Sequence, residues 1–216
     1  MDWRCYGPDA VLIQFADSLG DDTFQRGRAL VDELERHPPP GLVEFVPAFT
    51  TVLLEFDLRL QPDPPSLMPD LMARLKKAAR QSLPASRLHE IPIVYDGPDL
   101  ERVAKQNQLS VEQVCRRHSE PIYKVYCLGF APGFPYLGDL HASLRTPRLA
   151  SPRPRVPAGS IGIGGEHTGI YPIESPAGWN IIGHTPVSLF DRSRQEEDET
   201  AMFLLKPGDR VRFVRT

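Results

Sequence analysis

Residues 128–191, LGFAPGFPYLGDLHASLRTPRLASPRPRVPAGSIGIGGEHTGIYPIESPAGWNIIGHTPVSLFD, decide the fold. The stretch is dense in Gly and Pro, with short apolar pieces between them. Proline fixes φ and lacks an N–H, and glycine permits positive φ, so the segment reads as short strands joined by defined turns. A solvated linker could share the proline content. It would not carry Phe130, Phe134, Tyr136, Ile161, Ile163, Tyr171, Trp179 and Phe190, which need a core or a pocket to bury them. Four arginines (Arg145, Arg148, Arg153, Arg155) fall here, and no acid lies between Asp139 and Glu166. The stretch reads as a compact β domain that carries the functional surface.

Outward from it the β pattern continues. Residues 124–128, 160–163, 169–173, 179–182, 187–190, 201–205 and 210–215 read as short strands. In the last of these Val211 and Phe213 alternate with Arg210 and Arg212, the pattern of a half-buried strand after the turn at Lys206, Pro207, Gly208 and Asp209. Many short strands separated by turn signals suggest a small closed barrel or a sandwich. Upstream, residues 99–107 and 110–118 read as short helices, the second opening on a capping box of Ser110 and Gln113. A strand over 89–95 precedes them.

The first part of the chain has a different rhythm. Residues 10–15 (AVLIQF) form a strand, and 17–22 supply N-cap candidates. Phe24, Ala29, Leu30 and Leu34 then recur at helical spacing through 23–37, and Pro38, Pro39 and Pro40 stop that helix. Residues 42–47 and 51–57 form a hairpin. Residues 66–82 form an amphipathic helix with Leu67, Leu71, Leu75 and Ala78 on one face. The expectation is an α+β N-terminal domain over 1–86, helices on one face of a small sheet, followed by a mainly-β domain over 87–216, with Pro84 and Ala85 at the boundary.

Composition narrows the function. A net charge of -3 in 216 residues excludes a general nucleic-acid binder, which needs a basic excess. No apolar run approaches the ~18 residues of a membrane span, and the N-terminus has no leader pattern. Cys5, Cys115 and Cys127 lack CxxC spacing, which suits a reducing cytoplasm and gives no zinc site.

Known nucleotide signatures are absent. GSIGIGG (159–165) is followed by Glu166, so it is neither a P-loop nor a dinucleotide fingerprint, and close backbone packing at a barrel turn is the better reading. Arg148, Arg153 and Arg155 are candidates for a small anion, since guanidinium is a planar fork matched to carboxylate or phosphate. They could equally satisfy loop carbonyls. Glu174, His118, His167 and His184 are acid–base candidates, although Glu174 is equally an ion-pair partner for a loop arginine. The histidines lack metal-ligand spacing, so no metal is expected. Ser160 does not sit in a GxSxG elbow. Phe134, Tyr136, Tyr171 and Trp179 could be core or pocket.

Several long strings resemble the family of the 5-oxoprolinase B subunit (KipI / allophanate hydrolase subunit 1): GFAPGFPYLG (129–138), TPRLASPRPRVPAGS (146–160), TGIYPIESPAGW (168–179) and IGHTP (182–186), with VPAF (46–49) and KPGDRVRF (206–213). The resemblance implies a cyclophilin-like barrel after the α+β domain. It also implies a role beside the A and C subunits of 5-oxoprolinase in the ATP-dependent opening of 5-oxo-L-proline to L-glutamate. On that implication an arginine among Arg148, Arg153 and Arg155 holds the substrate carboxylate, with Phe134, Tyr136, Tyr171 and Trp179 around the ring. The Gly159 and Ser160 amides would meet developing charge, Glu174 would transfer protons, and Arg155 and Ser160 would join it in catalysis. Relatives of the KipI type imply another role, inhibition of a sensor histidine kinase. The family name implies a third, work on urea-derived amides such as allophanate.

Overall fold

A computed structural model of the chain describes residues 1–80, 86–196 and 199–216. The chain forms two compact units, residues 1–85 and 86–216. Pro84 and Ala85, expected at a boundary, lie outside the described residues.

In the first unit β1 (Asp2–Cys5), β2 (Ala10–Gln14), β3 (Leu42–Pro47) and β4 (Thr51–Phe56) form an antiparallel sheet in the order β1-β2-β4-β3. The expected hairpin is β3 and β4. Two helices, α1 (Asp21–Arg36) and α2 (Met68–Ala78), share one core with the sheet. Val11, Ile13, Val52 and Leu54 from the strands meet Leu30, Leu34, Leu71 and Leu75 from the helices. Burying each such side chain fully contributes about 1.5–3 kcal/mol. The N-cap of α1 is Gly20, with no side-chain cap bond; Asp21 and Asp22 act on the first turn through their charge. Residues 66–67 belong to a short 3-10 turn rather than to α2, and the expected end of that helix at Ser82 falls outside the described residues.

The second unit is mainly β. Its strands are β5 (Leu88–Ile93), β6 (Ile122–Leu128), β7 (Pro135–Gly138), β8 (Arg153–Val156), β9 (Ser160–Gly164), β10 (His167–Ile170), β11 (Ser175–Ala177), β12 (Asn180–His184) and β13 (Arg210–Arg215). Its helices are α3 (Leu100–Gln106) and α4 (Val111–Ser119). Seven strands form one curled sheet in the order β12-β9-β10-β7-β6-β13-β5, and β8 pairs separately with β11. The edges of the curled sheet meet beyond β5: Val94 and His184 exchange N–H···O bonds of 3.0 and 2.9 Å, and the Asp99 N–H donates to Ile181 O at 2.9 Å. Ile91, Val125, Leu137, Ile161, Ile163, Val211 and Phe213 fill the interior, with Val103 and Val114 from the helices. The capping box of α4 forms as the sequence predicts, with Gln113 N–H donating to Ser110 Oγ at 3.1 Å and Ser110 N–H to Gln113 Oε1 at 2.8 Å.

Two expected strands do not form. Residues 187–190 and 201–205 meet at an isolated Phe190–Phe203 bridge flanked by N–H···O bonds from Leu204 to Leu189 (3.0 Å) and from Asp191 to Met202 (2.9 Å), and a 3-10 turn covers Glu199–Met202. Thr185 Oγ1 accepts the Val187 N–H at 3.2 Å and Ser188 Oγ donates to Phe190 O at 3.0 Å, so side chains take up backbone groups that a ladder would need. The strand expected over 169–173 ends at Ile170, two residues before Pro172. Among the described residues no helix is long and apolar enough to cross a membrane.

Candidate functional site

The site grows from two glycines. A Cβ on Gly164 of β9 would lie 2.5 Å from the Trp179 indole, and one on Gly169 of β10 would lie 2.8 Å from the Phe134 ring. The bare backbone lets both rings lie against the sheet, so the glycine-rich stretch serves close packing. Phe134 is the hub. Its ring meets those of Tyr136, Tyr171 and Trp179 edge-on at centroid distances of 5.1, 5.1 and 5.4 Å. Together with Phe130, Arg148, Pro152 and Gly178 these rings line a pocket of about 270 Å³.

Arg148 is brought there by its neighbours. Leu149 N–H donates to Gly178 O at 2.7 Å, and the buried Asn180 side chain donates from Nδ2 to Pro147 O at 3.0 Å. The residues on either side of Arg148 are thus bonded to the residues on either side of Trp179. Asn180 is itself held: Nδ2 also donates to Ile163 O at 3.0 Å, and Oδ1 accepts from Arg102. The Arg148 guanidinium carbon lies 5.9 Å from the centre of the Trp179 ring, a cation–π geometry. Burial pushes the Tyr171 phenol up to about 12 and raises that of Tyr136, while the Arg148 charge opposes both shifts. Near neutral pH both phenols keep their protons. The site therefore offers apolar walls, one cation and neutral hydroxyl donors.

The other arginines go elsewhere. Arg153 donates from Nη2 to Asp99 Oδ1 at 2.7 Å, and Asp99 Oδ2 accepts the Ile181 N–H at 2.7 Å. This buried carboxylate, which sequence reasoning did not single out, joins the start of β8 to β12. Arg155 is 81% exposed and lies 3.6 Å from the Glu174 carboxylate, itself 58% exposed. Both stand outside the pocket lining. Ser160 is buried in β9; its N–H donates to Pro157 O at 3.3 Å, and the Gly159 N–H donates to Tyr171 O at 2.7 Å. Those amides are engaged in main-chain bonds and have no donor left for developing charge.

The histidines divide in the same way. His184 pairs with Asp96 at 2.8 Å on the surface. Burial lowers the pKa of His167, and His118 is sealed in the core. Among the described residues no group of His, Cys, Asp or Glu is arranged to hold a metal ion. Of the proposed residues the structure gathers Phe134, Tyr136, Tyr171, Trp179 and Arg148. It adds Phe130, which the sequence marked as an aromatic in need of a core or a pocket but not as a ligand-binding residue.

A family model described as carboxyltransferase domain, subdomain C and D, matches residues 1–200. The chain is 41% identical to the B subunit of 5-oxoprolinase from Bacillus subtilis (strain 168), over 97% of this chain and 90% of that protein. It is 44% identical to the B subunit of 5-oxoprolinase from Escherichia coli O157:H7, over 98% of this chain and 95% of that one. The solved protein TTHA0988 superposes with a TM-score of 0.82 at 40% identity; the match takes in all of this chain and 40% of the length of that one.

Proposed function

The chain belongs to the family of the 5-oxoprolinase B subunit, and on that premise we propose that it is the lactam-holding component of an ATP-dependent 5-oxoprolinase that works with the A and C subunits. The observation that carries this reading is the single guanidinium of Arg148 set in a wall of aromatic rings. 5-Oxo-L-proline is a flat five-membered ring with one carboxylate and a neutral amide. Its ring matches the aromatic walls, and its carboxylate matches the planar fork of Arg148. The protonated phenols of Tyr136 and Tyr171 supply neutral donors to orient the amide.

The reaction opens the ring C–N bond, consuming one water for the amide and one for the ATP phosphoanhydride, and yields L-glutamate, ADP and phosphate. The pocket does not fit ATP. One cation and no glycine-rich amide cradle face the several charges of a triphosphate, and the chain has no P-loop. Nucleotide binding is therefore assigned to a partner, and this chain alone turns over no substrate. Its own residues hold the carboxylate, orient the ring and exclude water around the amide. The curled sheet with its joined edges supports the reading of a cyclophilin-like barrel, and the free cysteines are consistent with a cytoplasmic setting.

The test is co-expression with the A and C subunits, followed by measurement of 5-oxoproline-dependent ADP release. Release that requires this chain supports the assignment. No release from any combination of the three would overturn it and favour a non-catalytic partner role.

A further inference from the structure

Phe130 stands apart from the rings it joins. Phe134 and Tyr171 are 2% exposed and Trp179 is 5% exposed, yet Phe130 lines the same pocket with 64% of its surface open. It is therefore the ring at the rim. Its backbone has φ of 70°, in the left-handed region, which is uncommon for a bulky residue and disfavoured by the clash of Cβ with the backbone. The loop holds it there. Gly129 N–H donates to Phe134 O at 3.1 Å, Phe134 N–H donates to Ala131 O at 3.0 Å, and Gly133 completes the turn at φ of 76°. Phe130 then meets Phe134 edge-on at 5.6 Å and Tyr171 at 6.4 Å. A strained residue that leaves an aromatic ring mostly in water gains less from burial than the three rings beneath it, so its placement points to a role at the pocket mouth.

We propose that Phe130 is the specificity-determining residue of this pocket, setting the width of the mouth so that a flat five-membered ring monocarboxylate enters and a larger ring does not. The proposal rests on the reading of the pocket as a lactam site. It also separates substrate from product. Open-chain glutamate carries an ammonium and two carboxylates into a pocket with one cation, so it binds more weakly than the lactam whatever residue stands at the rim.

The experiment is a fluorescence titration of the full chain carrying Trp3→Phe, which leaves Trp179 as the reporter. The probes are 5-oxo-L-proline, its six-membered homologue 6-oxopiperidine-2-carboxylate, and L-glutamate. With Phe130 present, the six-membered ring binds about tenfold more weakly than the five-membered one. Phe130→Ala and Phe130→Gly bring that ratio to near one, and Phe130→Tyr, which keeps a ring at the rim, restores it. In all of these the lactam remains tighter than glutamate. An unchanged ratio in Phe130→Ala, with lactam binding intact, overturns the proposal while leaving the lactam site standing. No binding of the lactam to the chain with Phe130 intact overturns the lactam site, and this proposal with it.

Discussion

The Arg148 guanidinium carbon lies 5.9 Å from the centre of the Trp179 ring, and the bonds on either side of the pair explain why. Pro147 O accepts from Asn180, and Leu149 N–H donates to Gly178 O. Arg148 is exposed, where a cation over an indole face gains about 0.5–1 kcal/mol, so the contact biases the guanidinium toward this position before any ligand arrives. On the proposed reading, its position is what lets a mainly aromatic hollow take a ligand with a single negative charge.

Replacing Arg148 tests that charge directly. Arg148→Met keeps an apolar chain over Trp179 and removes the fork, and it should weaken 5-oxoproline binding by roughly tenfold, the low end of the about 1.5–3 kcal/mol of a charge-assisted pair, because Arg148 is exposed. Arg148→Lys should recover only part of this, because an ammonium offers no planar fork. Titration calorimetry on the three proteins checks the order.

Asn180 should act at one remove from the ligand. Asn180→Ala takes a donor from the buried Ile163 O, which costs about 1–3 kcal/mol of stability, and also releases Pro147 O and Arg102, whose residues are exposed. In the assembled enzyme the KM for 5-oxoproline should rise more than kcat falls, since the variant loosens the hold on Arg148 and leaves the guanidinium present. Steady-state kinetics beside a thermal melt separates this from simple unfolding.

Arg155 and Glu174 should prove dispensable. Sequence alone suggests that alanine at either position abolishes ATP-coupled turnover. Their exposed 3.6 Å pair outside the pocket leads to the opposite expectation. Exposed ion pairs contribute about 0–1 kcal/mol, so each single alanine variant should keep ADP release within about twofold of wild type.

His118 sets a pH dependence of stability. Thr168 Oγ1 donates its proton to Gly162 O at 3.0 Å, so it accepts from His118 Nε2 at 2.9 Å, and Nδ1 accepts from the Tyr95 hydroxyl at 2.8 Å. The ring is neutral, stacked on Phe213 at 4.7 Å, and burial pushes its pKa down to about 3 from 6.5. Between those values the unfolded chain binds the proton that the folded chain refuses. The His118 contribution is therefore complete above about pH 6.5 and falls by about 1.4 kcal/mol per pH unit as pH drops toward 3. Denaturation of wild type and His118→Gln across this window should show that slope in their difference; parallel curves would contradict it.

How much of this was legible depends on what each element is made of. Helices α1 and α2 declare themselves by apolar spacing, and α4 by a capping box, because those signals are local. Strand β1 (DWRC) is a short edge with one inward ring, Trp3, and β8 (RPRV) contains a proline, so neither alternates long enough to be read. The pocket rings were legible by type alone. Which arginine joins them was not, because the choice rests on bonds from Gly178 and Asn180 to residues far upstream and on the buried carboxylate of Asp99 that draws Arg153 away.

The most direct measurement is a crystal structure of the complete enzyme soaked with 5-oxo-L-proline in the absence of ATP. The account predicts ligand density among Phe134, Tyr136, Tyr171 and Trp179, with the carboxylate paired to Arg148. Lactam bound elsewhere in a turnover-competent complex, with this pocket empty, would contradict it.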